Sequence, residues 1–466
     1  MKLNLKNIGP INESSVIIDG LTIITGLNST GKTTIGKSIY SLVSAIENIQ
    51  ENALNDKSNY AIQVILDVIN ELELYRYSQF EKLENEYISQ AVNIFYLGKN
   101  VQFMNLNELV MFVKQFTREI SVLDLKQLGK EEFKNLRNYR IIENFEVIKQ
   151  LQISKLNELI SLLETDDTLT RYCNYKIQKI LDTEFNNQVC KIGSEDSKIE
   201  LLDEDKICFD VGIKKNKINL NHENYRYSPL KNTFFIDNVY ILDSLDANEI
   251  YDEKIIGRRN FRHLNMKEYL FFDSIKEINH NNKLLKTLNA KNKYIYDEIL
   301  VEKNIMTIMK KINEVMPEKI FVSKNKFVYS NKELDIKNLA TGMKIYGIVK
   351  LLLEKGKISD DTLLIFDEPE SHLHPHWQNL FAEMVIIMIK ELDCKIVLTT
   401  HSPSFLLALD TYSKKYNLKE KVNYYKSVKE EENYLIKNIN EKLFEAYAEL
   451  SKPFLEIEAE YNKLND

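Results

Sequence analysis

Glycine and proline are scarce in this sequence, with 13 glycines and 7 prolines among 466 residues. Together they make up about 4% of the chain, where ordinary globular proteins contain roughly 12%. The shortage argues against an all-β sandwich, whose strands need many tight turns, and favours helix. Cysteine is also rare. The four cysteines form no CxxC pair, so neither a disulfide framework nor a zinc ribbon is expected, and we expect a reducing, cytoplasmic location.

Long apolar runs and an excess of positive charge are missing as well. No stretch of 18 apolar residues occurs and the N-terminus has no apolar signal segment, so we expect neither a membrane span nor export. The 62 basic and 69 acidic residues give a formal charge of −7, which leaves only local basic patches as a basis for binding nucleic acid. The length suits about three domains, or one large head with insertions.

A phosphate-binding motif lies near the start, where Gly26 to Thr33 read GLNSTGKT and fit GxxxxGK[ST]. The motif follows a predicted strand and precedes a predicted helix, which is the context it requires. Backbone N–H groups and the positive end of the helix would surround phosphate oxygens, Lys32 would reach the β- and γ-phosphates, and Thr33 would bind Mg²⁺. The predicted ATP site consists of Asn28, Ser29, Thr30, Gly31, Lys32, Thr33 and Thr34.

An apolar strand from Leu363 to Phe366 ends in two carboxylates, Asp367 and Glu368. We predict that Asp367 helps Thr33 to hold Mg²⁺ and that Glu368 orients and deprotonates the attacking water. In the alternative interpretation, both acids merely cap the following loop.

Two further sequence motifs follow the P-loop along the chain, one before and one after the paired acids. LATGMK, from Leu339 to Lys344, precedes a predicted helix, and TTHSP, from Thr399 to Pro403, follows the next strand. The order of P-loop, small-residue helix start, paired acids and histidine resembles an ABC-type ATPase head. That resemblance implies a γ-phosphate contact for the catalytic His401. It also implies that a signature binds ATP held by the other protomer, and here its residues are Ala340, Thr341, Gly342 and Lys344.

The sequence departs from the ABC-type pattern at two points. Ala340 and Thr341 stand where the LSGGQ form of the signature has Ser-Gly. The glutamine of the Q-loop cannot be placed, because no Gln occurs between Gln188 and Gln378.

The hydrophobic patterns suggest a split head with a large insertion. Residues 51–184 have helical rhythm, whereas 185–314 contain strand patterns, among them Thr233–Leu242, followed by helices. The last part alternates strands and helices as a covered, mostly parallel sheet does. We predict an α/β fold in which 1–50 and 315–466 form one ABC-type P-loop head, a mixed sheet with flanking helices. Residues 51–184 form a mainly helical insertion, and 185–314 join it to the head.

Local segments resemble the ATPases of the overcoming-lysogenization-defect group. These segments are DEPESHLHPHWQ from Asp367 to Gln378, TTHSPSFLLAL from Thr399 to Leu409, NLATGMK from Asn338 to Lys344, and the opening from Lys2 to Thr34. They are especially similar to the ATPase subunits of Septu-type (PtuA-like) bacterial phage-defence systems. The resemblance implies ATP and Mg²⁺ as cofactors and a dimer or higher oligomer that sandwiches ATP and regulates a nuclease.

Members of that group often carry a C-terminal Toprim nuclease. Only 65 residues follow His401, without the acidic pattern of that domain. We therefore expect no nuclease activity in this chain and a separate nuclease subunit of HNH or Toprim type as its partner. The length also argues against the long arms of SMC proteins.

A cluster of arginines is the main basic feature. Nine arginines occur in the chain, and Arg258, Arg259 and Arg262 lie just before His263. Guanidinium groups clustered in this way suit phosphate, either in a nucleic-acid backbone such as DNA or in a nucleotide, while a solvated face or a subunit contact is the alternative. Arg258 and His263 also have the RxxxxH spacing of HEPN-type RNases. Chance alone readily produces this spacing.

Two more patterns have ordinary explanations. His372, His374 and His376 suggest zinc, but LHP matches a structural loop of the resembled group and no further ligand completes the shell. An apolar heptad stripe from Leu443 to Leu464 fits packing onto the head or onto a partner helix, and Pro453 should kink it or begin a second helix.

Three functional hypotheses remain open at this point. The first is an ATP-hydrolysing regulatory subunit that controls a separate nuclease in defence against phage. The second is a nucleotide-binding scaffold or a DNA-repair, SMC-like ATPase with little turnover and no nuclease partner. The third is an RNase that uses Arg258 and His263.

Overall fold

The computed structural model describes a set of residue ranges, which are 1–47, 49–72, 74, 87–88, 90–91, 105–123, 139–164, 168–220, 222–245, 279–290, 303–317, 319–321, 326–329, 332–431 and 433–465. They divide into two compact units. The larger contains the described residues of 1–47, 173–258 and 275–466, and the smaller contains those of 48–172. The described parts of 185–314, which we predicted as a joining region, thus belong to the same unit as the head.

Among the described residues, the strands lie in the larger unit. They are β1 (Lys2–Ile8), β2 (Ile11–Ile17), β3 (Leu21–Thr25), β4 (Asp196–Asp203), β5 (Lys206–Lys214), β6 (Lys217–Ile218), β7 (Asn232–Ile236), β8 (Ile320–Phe321), β9 (Lys326–Tyr329), β10 (Lys332–Asp335), β11 (Thr362–Asp367), β12 (Lys395–Thr400), β13 (Val422–Glu430) and β14 (Asn433–Asn438).

The helices, again within the described residues, are α1 (Lys32–Ile46), α2 (Ile49–Glu71), α3 (Leu106–Val122), α4 (Tyr139–Leu163), α5 (Thr168–Glu184), α6 (His280–Asn289), α7 (Lys303–Val315), α8 (Thr341–Glu354), α9 (Pro375–Leu392), α10 (Pro403–Lys415) and α11 (Leu443–Asn465). Among them, none is long and apolar enough to cross a membrane.

A large mixed sheet organises the larger unit. Its strand order is β6-β5-β4-β1-β2-β14-β13-β3-β12-β11-β7. Strands β3, β12, β11 and β7 run parallel, whereas β1, β2, β4 and β5 pair antiparallel. The parallel strands are almost entirely buried and rich in apolar residues, as expected where helices cover both faces. The carboxyl ends of β3, β12 and β11 therefore meet at one edge, directly before the predicted P-loop, His401 and Glu368.

One predicted strand has different limits in the structure. The strand pattern Thr233–Leu242 ends as a strand at Ile236. There the side chain of Asn238 accepts a hydrogen bond from a backbone N–H two residues on and begins a 3₁₀ turn, Val239–Ser244.

The smaller unit is helical. Helices α3 and α4 pack on each other and on α2 through a buried apolar cluster that includes Ile65, Leu109, Phe116 and Leu156. Spacing of three and four residues places these side chains on one face of each helix, which explains the helical rhythm read from the sequence.

The C-terminal helix α11 divides its apolar stripe between two environments. Leu443, Tyr447 and Leu450 pack against the core of the larger unit, as one of the two interpretations predicted. Farther along the helix Phe454, Ile457, Tyr461 and Leu464 are exposed. The helix continues across Pro453, so the predicted second helix does not form.

Candidate nucleotide-binding and hydrolysis site

The P-loop connects β3 to α1 through backbone conformations that favour glycine. Gly26 and Gly31 have φ of 143° and 88°, and Ser29 between them is also left-handed. A Cβ atom added to Gly31 would lie 2.9 Å from the Ile11 side chain, so this position cannot take a larger residue without displacement. No side chain caps the N-terminus of α1. The loop thus presents backbone N–H groups and the positive helix end together, as phosphate binding requires.

Lys32 is the first residue of α1, and its side chain is nearly buried. Its Nζ atom donates hydrogen bonds to the carbonyl oxygens of Gly26 at 3.1 Å and Leu27 at 2.8 Å. It also lies 3.4 Å from Oε1 of Glu368. The ammonium group is thus held at the mouth of the loop by neutral carbonyls and one carboxylate, which phosphate oxygens can replace.

Thr33 and Asp367 meet across the ends of α1 and β11. The Thr33 hydroxyl donates a 2.8 Å hydrogen bond to Oδ2 of Asp367, and the Thr399 hydroxyl donates one of 2.5 Å to Oδ1. Thr399 is in place because parallel pairing sets it beside Asp367. Burial raises the pKa of Asp367, and the two hydroxyl groups offset this only in part. A bound cation would favour the charged carboxylate form of Asp367. The Thr33 hydroxyl and this buried carboxylate together are a donor set that fits Mg²⁺.

Glu368 occupies the centre of the predicted catalytic group. Its backbone is left-handed, with φ of 49°, and its N–H donates to the Thr399 side chain at 3.0 Å. One carboxylate oxygen faces Lys32, while the other lies 3.3 Å from Nδ1 of His401. The structure therefore brings Lys32, Glu368 and His401 together, although they are spread over the whole sequence. A strained backbone retained at such a place is typical of functional sites.

The P-loop and the two acids after β11 line a cleft of about 400 Å³, a size suited to a small ligand, and His401 is not part of its lining. The lining consists of Pro10, all seven predicted ATP-binding residues from Asn28 to Thr34, Asp367 and Glu368. A larger cleft of about 530 Å³ lies elsewhere on the same unit. Its lining includes Glu13, Glu430 and Glu431, which repel phosphate, so the smaller cleft is the better nucleotide site.

The predicted signature lies at the start of α8. Ala340 is exposed and precedes the helix without a side-chain cap, and Thr341 is half-buried. Gly342 is packed so closely that an added Cβ would lie 2.9 Å from the carbonyl oxygen of His372. Lys344 is 3% exposed, and its Nζ binds the Asp243 carboxylate at 2.6 Å. This burial argues against a phosphate contact between protomers for Lys344, so only the other three residues keep that proposed role.

The sequence reading overlooked Glu370. Its side chain is 2% exposed, and Oε1 accepts hydrogen bonds from the Thr400 hydroxyl at 2.5 Å and the His401 backbone N–H at 3.2 Å. Burial raises the pKa of this carboxyl group, although both hydrogen bonds work in the opposite direction. The signal in the sequence was a third acid two residues after Glu368, separated from it by a proline.

An ion cluster formed by buried His280 and Glu184 and the more exposed Asp237 lies beside Asp367. Parallel pairing of β7 with β11 places Asp237 next to Asp367 at the carboxyl edge of the sheet. His280 joins Asp237 to Glu184, with Nε2 3.0 Å from Asp237 Oδ1 and Nδ1 2.8 Å from Glu184 Oε2. Burial disfavours the charged ring, but the two carboxylates outweigh it and raise the pKa of His280 to about 9. At neutral pH the ring is therefore an imidazolium that donates to both acids.

The remaining candidate residues are those of the arginine cluster and of the HxHxH segment. Arg258, Arg259, Arg262 and His263 lie outside the described residues. In the HxHxH segment, the His374 ring accepts a hydrogen bond from the His376 N–H at the start of α9, and the His372 ring packs edge-on against Tyr240. Within the described part of the chain, no group of three or more His, Cys, Asp and Glu could hold a metal ion.

Residues 209–408 match the family described as "AAA domain, putative AbiEii toxin, Type IV TA system". The matched segment includes Asp367, Glu368 and His401 and begins after the P-loop. This segment, which is less than half of the chain, is similar to an AAA ATPase domain. The mixed sheet with flanking helices and the position of the P-loop confirm the predicted ABC-type P-loop ATPase fold.

One distant relative is named as a nuclease. Endonuclease GajA from Bacillus cereus (strain HuB5-5) is 24% identical over 411 residues. The match covers 83% of this chain and 52% of GajA, so the chain spans about half the length of this relative. The finer resemblance to Septu-type subunits stays a prediction.

Two solved structures cover most of the chain with low similarity. One is an Smc head bound to the C-winged helix domain of ScpA, with 10% identity and a TM-score of 0.34, covering 94% of this chain and 96% of that one. The other is an Smc head domain with a coiled coil and joint derived from Pyrococcus yayanosii. It has 10% identity and a TM-score of 0.32, and covers 97% of this chain and 99% of that one.

Proposed function

We propose that this protein is the ATP-hydrolysing regulatory subunit of a bacterial anti-phage complex, which dimerises head to head through ATP and controls a separate nuclease. The observation that carries the hydrolytic part is the position of Glu368, whose two carboxylate oxygens face Lys32 and His401. Such an arrangement supports a general base with a cation on one side and a second polar group on the other.

In the proposed mechanism, the N–H groups of the P-loop and the end of α1 bind the phosphates. Lys32 exchanges its contacts with Gly26 and Leu27 for oxygens of the β- and γ-phosphates. Mg²⁺, held by Thr33 and Asp367, would neutralise charge on those phosphates. Glu368 orients the attacking water and takes its proton, and His401 contacts the γ-phosphate.

The dimer is inferred from the start of α8, where Ala340 is exposed and Thr341 is half-buried. Ala340, Thr341 and Gly342 present an uncapped helix N-terminus, whose positive end suits the γ-phosphate bound by a second copy. ATP would hold two heads together, and its hydrolysis would release them.

The partner is inferred from the relative. GajA is named as an endonuclease, which supports a link between this kind of ATPase and nucleic-acid cleavage. Following the group that the local motifs resemble, we propose that the nuclease is a separate HNH or Toprim polypeptide and that the complex contacts DNA. The scaffold hypothesis has the same cleft in its favour, but it expects little turnover and no nuclease partner.

Affinity purification of the Glu368→Gln protein, expressed with its native gene neighbours and with ATP present, tests this proposal. Mass spectrometry should find a nuclease in stoichiometric amount. The Lys32→Ala protein is the matched control and should retain less of it. Recovery of the chain alone in both preparations would contradict a nuclease partner.

A further inference from the structure

Glu370 lies where the acidic strand turns towards His401. The left-handed backbone of Glu368 and the proline after it redirect the chain into a 3₁₀ turn, Pro369–His372. As a result, Glu368 and Glu370 both reach His401 from the same turn. Glu368 contacts the ring, at 3.3 Å from Nδ1, and Glu370 contacts the backbone N–H, at 3.2 Å.

His401 depends on such contacts because its side chain is 42% exposed. A half-exposed ring gains little orientation from packing, so polar contacts must fix it. Glu370 holds the residue from one side through the Thr400 hydroxyl and the His401 N–H. Gln378 holds the same turn from the other side, since it donates to the carbonyl oxygens of Glu370 and Leu373 and accepts from the hydroxyl of Ser402.

The second oxygen of Glu370 points to a use other than stability. Oε2 is buried and has no hydrogen-bond partner among the described residues. Leaving a buried polar atom unpaired is unfavourable, because the atom loses its hydrogen bonds to water and gains none in return. Buried carboxyl groups retained at such a cost are found more often beside reacting groups than in ordinary cores.

We propose that Glu370 is a positioning residue for ATP hydrolysis, which anchors His401 so that its ring stays between Glu368 and the γ-phosphate. This inference rests on the proposed function, since it requires His401 to act on the phosphate. Glu370 itself lines no part of the nucleotide cleft. Its removal should therefore affect turnover and leave nucleotide binding intact.

The test compares Glu370→Ala, Glu370→Gln, His401→Ala and the double variant in the full chain. Glu370→Ala should lower kcat roughly tenfold with nucleotide affinity within about twofold of the wild type, because the anchor is lost and the P-loop is not. Glu370→Gln should keep kcat within about threefold, since an amide oxygen accepts the same two hydrogen bonds. The double variant should be no slower than His401→Ala alone, because both changes remove one interaction.

Glu383 provides a matched control. It is also a buried carboxylate of the larger unit, but it pairs with Lys311 and Lys415, away from the cleft. Glu383→Ala should lower the thermal midpoint and leave kcat per folded molecule unchanged. The proposal would be overturned if Glu370→Ala kept the kcat of the wild type. It would also be overturned if the fold-losses in kcat of Glu370→Ala and His401→Ala multiplied in the double variant.

A second readout separates this proposal from the proposed function. If wild type and His401→Ala turn over ATP at the same rate, the role of His401 is wrong, and the ring signal of His401 then decides whether Glu370 positions it. That signal is assigned in a histidine-labelled NMR spectrum by its loss in His401→Ala. It should move in Glu370→Ala and stay in Glu383→Ala, and an unmoved signal in both would overturn the positioning role.

Discussion

The hydroxyl group of Thr33 donates a hydrogen bond of 2.8 Å to the carboxylate of Asp367, 334 residues later in the chain. This contact joins the start of α1 to the end of β11. It exists because β12 separates β3 from β11 and all three run parallel, so that their carboxyl ends share one edge. The two halves of the candidate nucleotide site are thereby assembled within a single unit.

Replacing Lys32 with alanine should weaken nucleotide binding by about 10- to 100-fold, since a hydrogen-bonded ammonium contributes roughly 1.5–3 kcal/mol to binding a phosphate. Fluorescence titration with a labelled ATP measures the change. Lys37→Ala is a matched control on the same helix, because the Lys37 Nζ donates to the backbone of Glu184 and not to the cleft. Equal affinities for Lys32→Ala and the wild type would contradict the assignment of the P-loop.

Replacing Thr33 with valine should raise the Mg²⁺ concentration needed for half-maximal ATP turnover by about tenfold, equivalent to ~1.4 kcal/mol from one lost oxygen ligand. Valine has nearly the shape of threonine, so the loop should keep its conformation. Thr33→Ser restores the hydroxyl and should restore the wild-type requirement. An unchanged Mg²⁺ dependence in Thr33→Val would show that this hydroxyl does not bind the ion.

A glutamate at Thr341 should abolish ATP-dependent dimerisation without harming the fold. An acidic residue in the first turn of a helix is favourable, but it would repel the γ-phosphate of the other protomer. Light scattering with the Glu368→Gln variant and ATP measures the mass, with Thr341→Ser as the control that keeps the hydroxyl. A dimer that survives Thr341→Glu would place the interface elsewhere.

The ion cluster at His280 should make stability depend on pH. The pKa of this ring rises from 6.5 to about 9 on folding, which corresponds to a stabilisation of about 3 kcal/mol. Because the folded pKa is the higher one, the stabilisation is complete below pH 6.5 and is lost as pH rises to about 9. The thermal midpoint of His280→Gln should lie a few degrees below that of the wild type at pH 6, and the difference should narrow by pH 9.5. His222→Gln changes an exposed histidine. Its thermal midpoint should equal that of the wild type at both pH values.

Much of the site could be predicted because its residues belong to local motifs. The P-loop, the acids after an apolar strand and His401 after the next strand each have a signal within a few residues. The role of Glu370 and the burial of Lys344 could not be predicted from local motifs. The role of Glu370 depends on β12 lying beside β11, and the burial of Lys344 depends on Asp243, about a hundred residues away.

ATP hydrolysis by wild type and Glu368→Gln, measured beside the affinity of each for labelled ATP, tests the central claim most directly. The account predicts that Glu368→Gln binds ATP at least as tightly as the wild type and loses about 100-fold or more in turnover, because the base that accepts the proton of water is gone. Equal turnover by the two proteins, or an absence of turnover in both, would contradict an ATPase built on Glu368 and favour a nucleotide-binding scaffold.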